Sequence, residues 1–364
     1  MKVVFQGAGA IGLAAAALFG RRHEAIVVSR SDSSNSDAVQ ARSAAYPRRV
    51  RSFGNRPVDR EPVLRQSPVR RELVPGTGPV RREPVPGPSG LRCDLPARRV
   101  TVVDWAAVSS ESWDLVVLTT RPGDLDDGVA ASIVALRPGI IAITSQVDGD
   151  RSIAASMFPD SEILVFSPAL LSERTTGRTV RYWHPPGMPV FMASGRRETV
   201  RGLRRRLGGL IVGVPAFVIS VPPAVFIPYV AELSAREGNW ASLRSHLRRP
   251  SRAAAEAVHA VTGVRMPMSE RGAGLVLDAL ERFVPIDVSE YAGRHFGRHE
   301  GQTLDMLDGW LSRAAERTSA RAKPPAPTMR RSPTPTSVSG QSPIPAQSSA
   351  LREQVQALRL RVTR

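Results

Sequence analysis

MKVVFQGAGAIGLAAAALFGRRHEAIVVSR, residues 1–30, decides the fold. Lys2 to Gln6 is a short apolar run with the character of a buried strand, and the alanine-rich segment to Phe19 reads as a helix. Between them stands Gly7-Ala8-Gly9-Ala10-Ile11-Gly12, a G-x-G-x-x-G turn in the strand–turn–helix setting that the pattern needs before it carries meaning. Gly7 permits the tight turn, Gly9 lets the backbone approach a diphosphate, and Gly12 lets the helix pack close to the sheet. The unpaired N–H groups and positive dipole end of the helix then face the phosphates. Three glycines and Gln6 within the run argue against an alanine-rich secretory segment.

A second strand, Ala25 to Val28, ends in Ser29-Arg30-Ser31. An NAD site usually places Asp or Glu there for the ribose 2′-OH. Hydroxyls and a guanidinium suit a 2′-phosphate instead, so Arg30 points to NADP(H) as the cofactor.

At 364 residues the chain suits two domains. The single cysteine, Cys93, excludes an intramolecular disulfide and fits a reducing, cytoplasmic setting. The formal charge of +17 resembles that of a nucleic-acid binder until it is located. Residues 48–99 hold 13 Arg against 5 acidic residues, and residues 318–350 add four cations and no acid. Twelve of the seventeen charges therefore lie in proline-rich stretches, and no specific nucleic-acid partner is expected. The two lysines are Lys2 and Lys323, so no lysine stands between residues 3 and 322.

Residues 57–89 repeat with period 11: PVDREPVLRQS, PVRRELVPGTG, PVRREPVPGPS. Proline in every unit excludes a helix, and the composition buries too little surface to offset its ordering entropy. A disordered insertion is expected at about 32–98. The α/β pattern resumes at Val100–Val103, continues through the doubly apolar Leu115–Thr119, a helix from Leu125 to Leu136, and strands at Ile140–Thr144 and Ile163–Phe166. The stretch from Arg178 to Ala193 reads as one or two strands broken by a Pro-Pro-Gly turn. Ligands bind at the carboxyl ends of such strands, which puts Arg121 and Gln146 near the nucleotide.

Leu207 to Ala231 holds 25 residues without a charge, long enough to span a bilayer. Repeated prolines and glycines favour a buried strand at Ala216–Val221 and the start of a helix, so no membrane partner is expected. Helical patterns follow at 224–236, 240–247, 251–261, 268–283 and 301–317. The expected architecture is an α/β Rossmann-type doubly wound parallel sheet over residues 1–220, followed by an all-α C-terminal domain over 221–317. A Pro/Ser/Thr-rich linker at 318–349 and a terminal helix at 350–364 complete it.

With MKVVFQGAGAIG at the start, Arg30 after the second strand, DLVVLTTRPGDL after the insertion, HFGRHEGQTLDML near the end and ALREQVQAL closing, the chain resembles the ketopantoate reductase (2-dehydropantoate 2-reductase) family. The resemblance implies NADPH-dependent hydride transfer to a small 2-keto acid or related carbonyl substrate. It also implies a general-acid lysine at the head of the first helix of the second domain. That position falls here at Pro228 or Tyr229, and Arg121 stands where a lysine near the cofactor is usual. The asparagine expected after the Ile140–Thr144 strand is replaced by Gln146 or Val147. Tyr229 and Glu232 are the candidate catalytic groups, with Asn239, His295 and His299 as further polar candidates. A catalytically silent NADP(H)-binding member is the alternative, and a homodimer is a candidate assembly.

Overall fold

A parallel six-stranded core runs through a single curled sheet in this computed structural model, which describes residues 1–29, 37–43, 97–175, 179–297, 300–322 and 349–362. The opening stretch forms β1 (Lys2–Gln6), α1 (Ala10–Phe19) and β2 (Glu24–Val28), with β1 and β2 parallel. Next come β3 (Asp37–Ser43), β4 (Arg98–Val103), β5 (Leu115–Leu118), α2 (Asp127–Leu136), β6 (Ile140–Ile143), α3 (Asp150–Met157) and β7 (Glu162–Pro168). The parallel core has the order β4-β2-β1-β5-β6-β7, the order of a dinucleotide-binding sheet.

Alternation along the central strands builds two cores. Val3, Phe5, Leu115 and Val117 face α1, while Val4, Val116 and Leu118 face α2 and α3. The sheet then grows at both ends with β8 (Leu171–Arg174), β9 (Thr179–Trp183), β10 (Phe191–Ser194), α4 (Arg197–Leu207) and β11 (Ile211–Gly213). β10 pairs antiparallel with β7, whereas β9 joins β3 at the far edge. That far edge curls back, so β8 and β9 pack on α1. Enclosure on all sides explains why α1 is apolar all round: residues 12–19 are buried.

The helical part comprises α5 (Ala216–Ala235), α6 (Trp240–Arg244), α7 (Arg248–Thr262), α8 (Glu270–Phe283), α9 (Val288–Gly297), α10 (Glu300–Ala322) and α11 (Ala350–Val362). Ala224, Ala231, Ala253 and Ala257 let α5 and α7 approach closely, and Leu307, Trp310, Leu351 and Leu358 close the core. Glu256 on α7 accepts from the backbone N–H groups of Ala350 and Leu351 and from Ser349 Oγ, which caps α11. The terminal helix is thus part of this core.

Several expectations are corrected. Residues 37–43, placed in the insertion, form β3, paired with β4 and β9. Residues 216–221 are the first turns of α5 rather than a strand, and the sheet edge is β11 instead. Pro222 and Pro223 remove two helix bonds, yet α5 continues because its later turns pack against α7, α10 and α11. This moves the boundary of the helical part from 221 to 216. α5 is long and apolar enough to cross a membrane by length and composition. α10 runs to Ala322, beyond the expected linker start at 318. The three repeats, Cys93 and most of the linker lie outside the described residues.

Candidate active site

The glycine turn has the backbone geometry expected for its tight bend at Gly7 and its close packing at Gly12. Gly7 has φ of +98°, in the left-handed region, and its N–H donates to the carbonyl of Val28 at 2.9 Å. A Cβ on Gly12 would sit 2.4 Å from the Gly7 carbonyl, so this position admits no side chain. A Cβ on Gly9 would meet nothing within 4 Å. The space above Gly9 at the N-terminus of α1 is open, which is the condition a diphosphate needs there. Ala8, Ala10 and Ile11 complete the turn, and Ile11 lines the neighbouring cavity.

That cavity, about 720 Å³, lies at the carboxyl ends of β5 and β6, with α5 and α10 as its other wall. Thr119 and Thr120 follow β5, Thr144 to Gln146 follow β6, Pro223 and Ile227 come from α5, and Gln302, Thr303, Asp305 and Met306 come from α10. Thr119 Oγ1 donates to the Gln6 carbonyl at 2.7 Å, and Thr144 Oγ1 to the Leu118 carbonyl at 3.1 Å. These bonds fix the strand ends on which the cavity floor stands.

Arg121 donates from Nε and Nη2 to the two carboxylate oxygens of Asp150, at 3.0 and 3.2 Å. Its Nη1 reaches Asp305 on α10. Asp150, in the first turn of α3, is 1% exposed and also accepts from Ser145 Oγ. Its hydrogen bonds, and then those of Asp305, hold the Arg121 guanidinium's pKa above its ordinary value. Arg121 is therefore charged, with that charge committed to two carboxylates. A second link, Arg313 to Asp148, fastens the loop after β6 to α10. Gln146 lines the cavity, donates to Ser167 Oγ at 2.8 Å, and has a buried Oε1 without a protein partner among the described residues.

The candidate catalytic groups lie elsewhere. Glu232 is fully buried, and its two oxygens are taken by Arg236 Nε and Arg249 Nε, each at 2.7 Å. The Tyr229 hydroxyl pairs with Ser251 Oγ at 2.9 Å, and burial raises its pKa. Neither residue lines the cavity; Pro223 and Ile227 of the same helix do. Asn239 caps α6 by accepting from the Ser242 N–H. His295 sits on α9, and Arg30 and His299 lie outside the described residues. Sequence reading missed Asp150, Asp305 and Ser145. The signal for Asp150 was its place at a helix start after the loop that follows β6, but no local pattern links Arg121 to Asp305, 184 positions away.

No family profile and no curated protein matches the chain in sequence. Solved structures match it in fold. A dimeric ketopantoate reductase from Staphylococcus aureus superposes with a TM-score of 0.57 at 11% identity, covering 99% of this chain and 98% of that one. A 2-dehydropantoate 2-reductase from Geobacter metallireducens gives 0.54 at 12% identity, over 99% and 100%. D-mandelate dehydrogenase with NADH gives 0.53 at 10% identity, over 99% and 98%. The resemblance to ketopantoate reductases thus holds across nearly the whole chain as a likeness of fold: a Rossmann-type sheet followed by a helical part.

Proposed function

We propose that this chain is a nicotinamide-dependent oxidoreductase that reduces a small carbonyl compound. The observation that carries the reading is the open space above Gly9, bounded by a left-handed Gly7 and a closely packed Gly12, beside a cavity at the strand ends. Residues 7–12 would hold the diphosphate, and a reduced nicotinamide ring in the cavity would supply the hydride. Thr303 and Gln302 offer a hydroxyl and an amide to a carbonyl oxygen. Ile227, Pro223 and Met306 give the cavity an apolar side that limits water. A carbonyl carbon gaining that hydride would pass its π pair to oxygen, and the alkoxide so formed would take its proton from bulk solvent, since no acidic side chain of the candidate set lines the cavity.

Arg30 supports NADP(H) over NAD(H), by its place after β2. Arg30→Glu is expected to weaken NADPH far more than NADH, and equal losses would assign the preference elsewhere. The coenzyme-bound neighbour carries NADH, so both coenzymes belong in the comparison. One neighbour is described as dimeric, which makes a homodimer the assembly to test by light scattering.

A second reading, a nucleotide-binding protein without turnover, rests on a specific observation. No lysine stands between residues 3 and 322, and Tyr229 and Glu232 are engaged away from the cavity. Steady oxidation of NADPH with any member of a carbonyl panel favours the reductase. Tight coenzyme binding with no oxidation favours the silent form.

A further inference from the structure

We infer that the end of the sheet opposite the cavity is a cationic face that binds the phosphate backbone of duplex DNA without reading its sequence. α4 carries Arg197, Arg201, Arg204 and Arg205 at spacings of i, i+4, i+7 and i+8. The four guanidinium groups therefore share one flank of the helix and span about 12 Å along its axis. All four are exposed, and none has an ion pair among the described residues. Their neighbours Arg196 and Arg206 are neutralised by Glu162 and Asp114, and Glu198 is the one acid of α4.

The stripe continues across the amino ends of the strands. The end of α4 meets the turn after α1, where His23 hydrogen-bonds the backbone of Leu207. Arg21 and Arg22 share a hollow with His23 and Asp114, and Arg98 and Arg99, at the start of β4, share a second hollow with His23. These four arginines are also exposed and without an ion pair among the described residues, while Glu24 and Glu111 are held by Lys2. β3 ends and β4 begins at this same end. Residues 44–97, which join them, hold 11 Arg against 5 acids, so the sequence there adds to the positive sign instead of reversing it.

The chemistry around the charges selects the partner. A bilayer surface calls for an apolar face beside the cations. Val200, Leu203 and Leu207 of α4 are buried, and no large apolar side chain of residues 20–24, 98–99 or 196–210 is exposed. A single strand calls for aromatic rings on which bases stack, and those segments contain no Phe, Tyr or Trp. A duplex needs cations along its phosphates, and the planar fork of arginine fits phosphate oxygens. The face lies away from the cavity, so the inference stands apart from the reductase reading.

The test is the fluorescence anisotropy of a labelled DNA duplex of arbitrary sequence, titrated with the full chain at several salt concentrations. A Kd in the micromolar range is expected at about 50 mM salt, with log K falling against log salt at a slope of about −5 as roughly six phosphates are neutralised. The combined variant Arg197→Gln, Arg201→Gln, Arg204→Gln and Arg205→Gln should bind at least about tenfold more weakly, with a slope shallower by about 3–4 and an unchanged melting temperature. Arg21→Gln with Arg22→Gln should act in the same direction, and decides the matter if the fourfold variant does not fold. Unchanged binding by the folded variants would assign the affinity to residues outside this face and overturn the inference. Absence of DNA binding at low salt, or tighter binding to phosphatidylserine vesicles than to the duplex, would overturn it as well.

Discussion

Arg121, just after β5, and Asp305, on α10, meet across the cavity, while the same guanidinium grips the buried Asp150 with two N–H···O bonds. One arginine thereby ties the sheet, the start of α3 and the helical part together at the site. Arg121→Ala leaves the Asp150 carboxylate, 1% exposed, without a cation. A loss of about 3 kcal/mol is expected in urea unfolding. A loss below about 0.5 kcal/mol, the level of ordinary surface changes, would mean that the pair does not hold the layers.

Gly9 and Gly12 separate folding from binding. Gly12→Ala forces a Cβ against the Gly7 carbonyl and should lower stability as well as coenzyme affinity. Gly9→Ala meets no protein atom within 4 Å, so its unfolding midpoint should stay near that of the parent. Its coenzyme affinity should nonetheless fall by about tenfold or more, because the methyl group occupies the diphosphate's approach. Thermal melts with and without coenzyme read both quantities.

Glu232 is a structural carboxylate in this fold. Its position between Arg236 and Arg249 predicts that Glu232→Gln costs about 3 kcal/mol of stability. Coenzyme affinity at a temperature where the variant is folded should be that of the parent. A selective loss of substrate turnover with unchanged stability would return Glu232 to the catalytic candidates.

Tyr291 sets a limit at high pH. Burial, with a backbone hydrogen bond at Ser172 opposing it and Glu173 adding to it, pushes its phenol up to about 12. The folded state holds the phenolic proton more tightly than the unfolded state, whose tyrosine titrates near 10. Stability is therefore fully present below about pH 10 and lost as pH rises toward about 12, by an amount of about 2–3 kcal/mol. Tyr291→Phe should remove that part of the slope between pH 10 and 12. An unchanged slope would show that the hydroxyl ionises at its ordinary pH.

Much of the sheet was legible because its signals are local. β1, α1 and β2 follow from a glycine turn between two apolar runs, and β5 and β6 from runs apolar on both faces. β3 was not legible: it lies next to proline- and arginine-rich sequence, and its pairing with β4 and β9 spans distant segments. α5 was misread at its start because Pro222 and Pro223 mimic a strand boundary, and only packing against α7 reveals the helix. The site divides the same way. The glycine turn and the places of Arg121 and Gln146 could be read from strand ends. The commitment of Arg121 to Asp150 and Asp305 could not, since it depends on a helix arriving from the other end of the chain.

Calorimetric titration of the full-length chain with NADPH and NADH is the most direct test of the coenzyme cradle at residues 7–12. Saturable binding at one site per chain is expected, tighter for NADPH, and weakened by Gly9→Ala without loss of fold. Absence of binding to both coenzymes at millimolar concentration, by a chain shown to be folded, would contradict it.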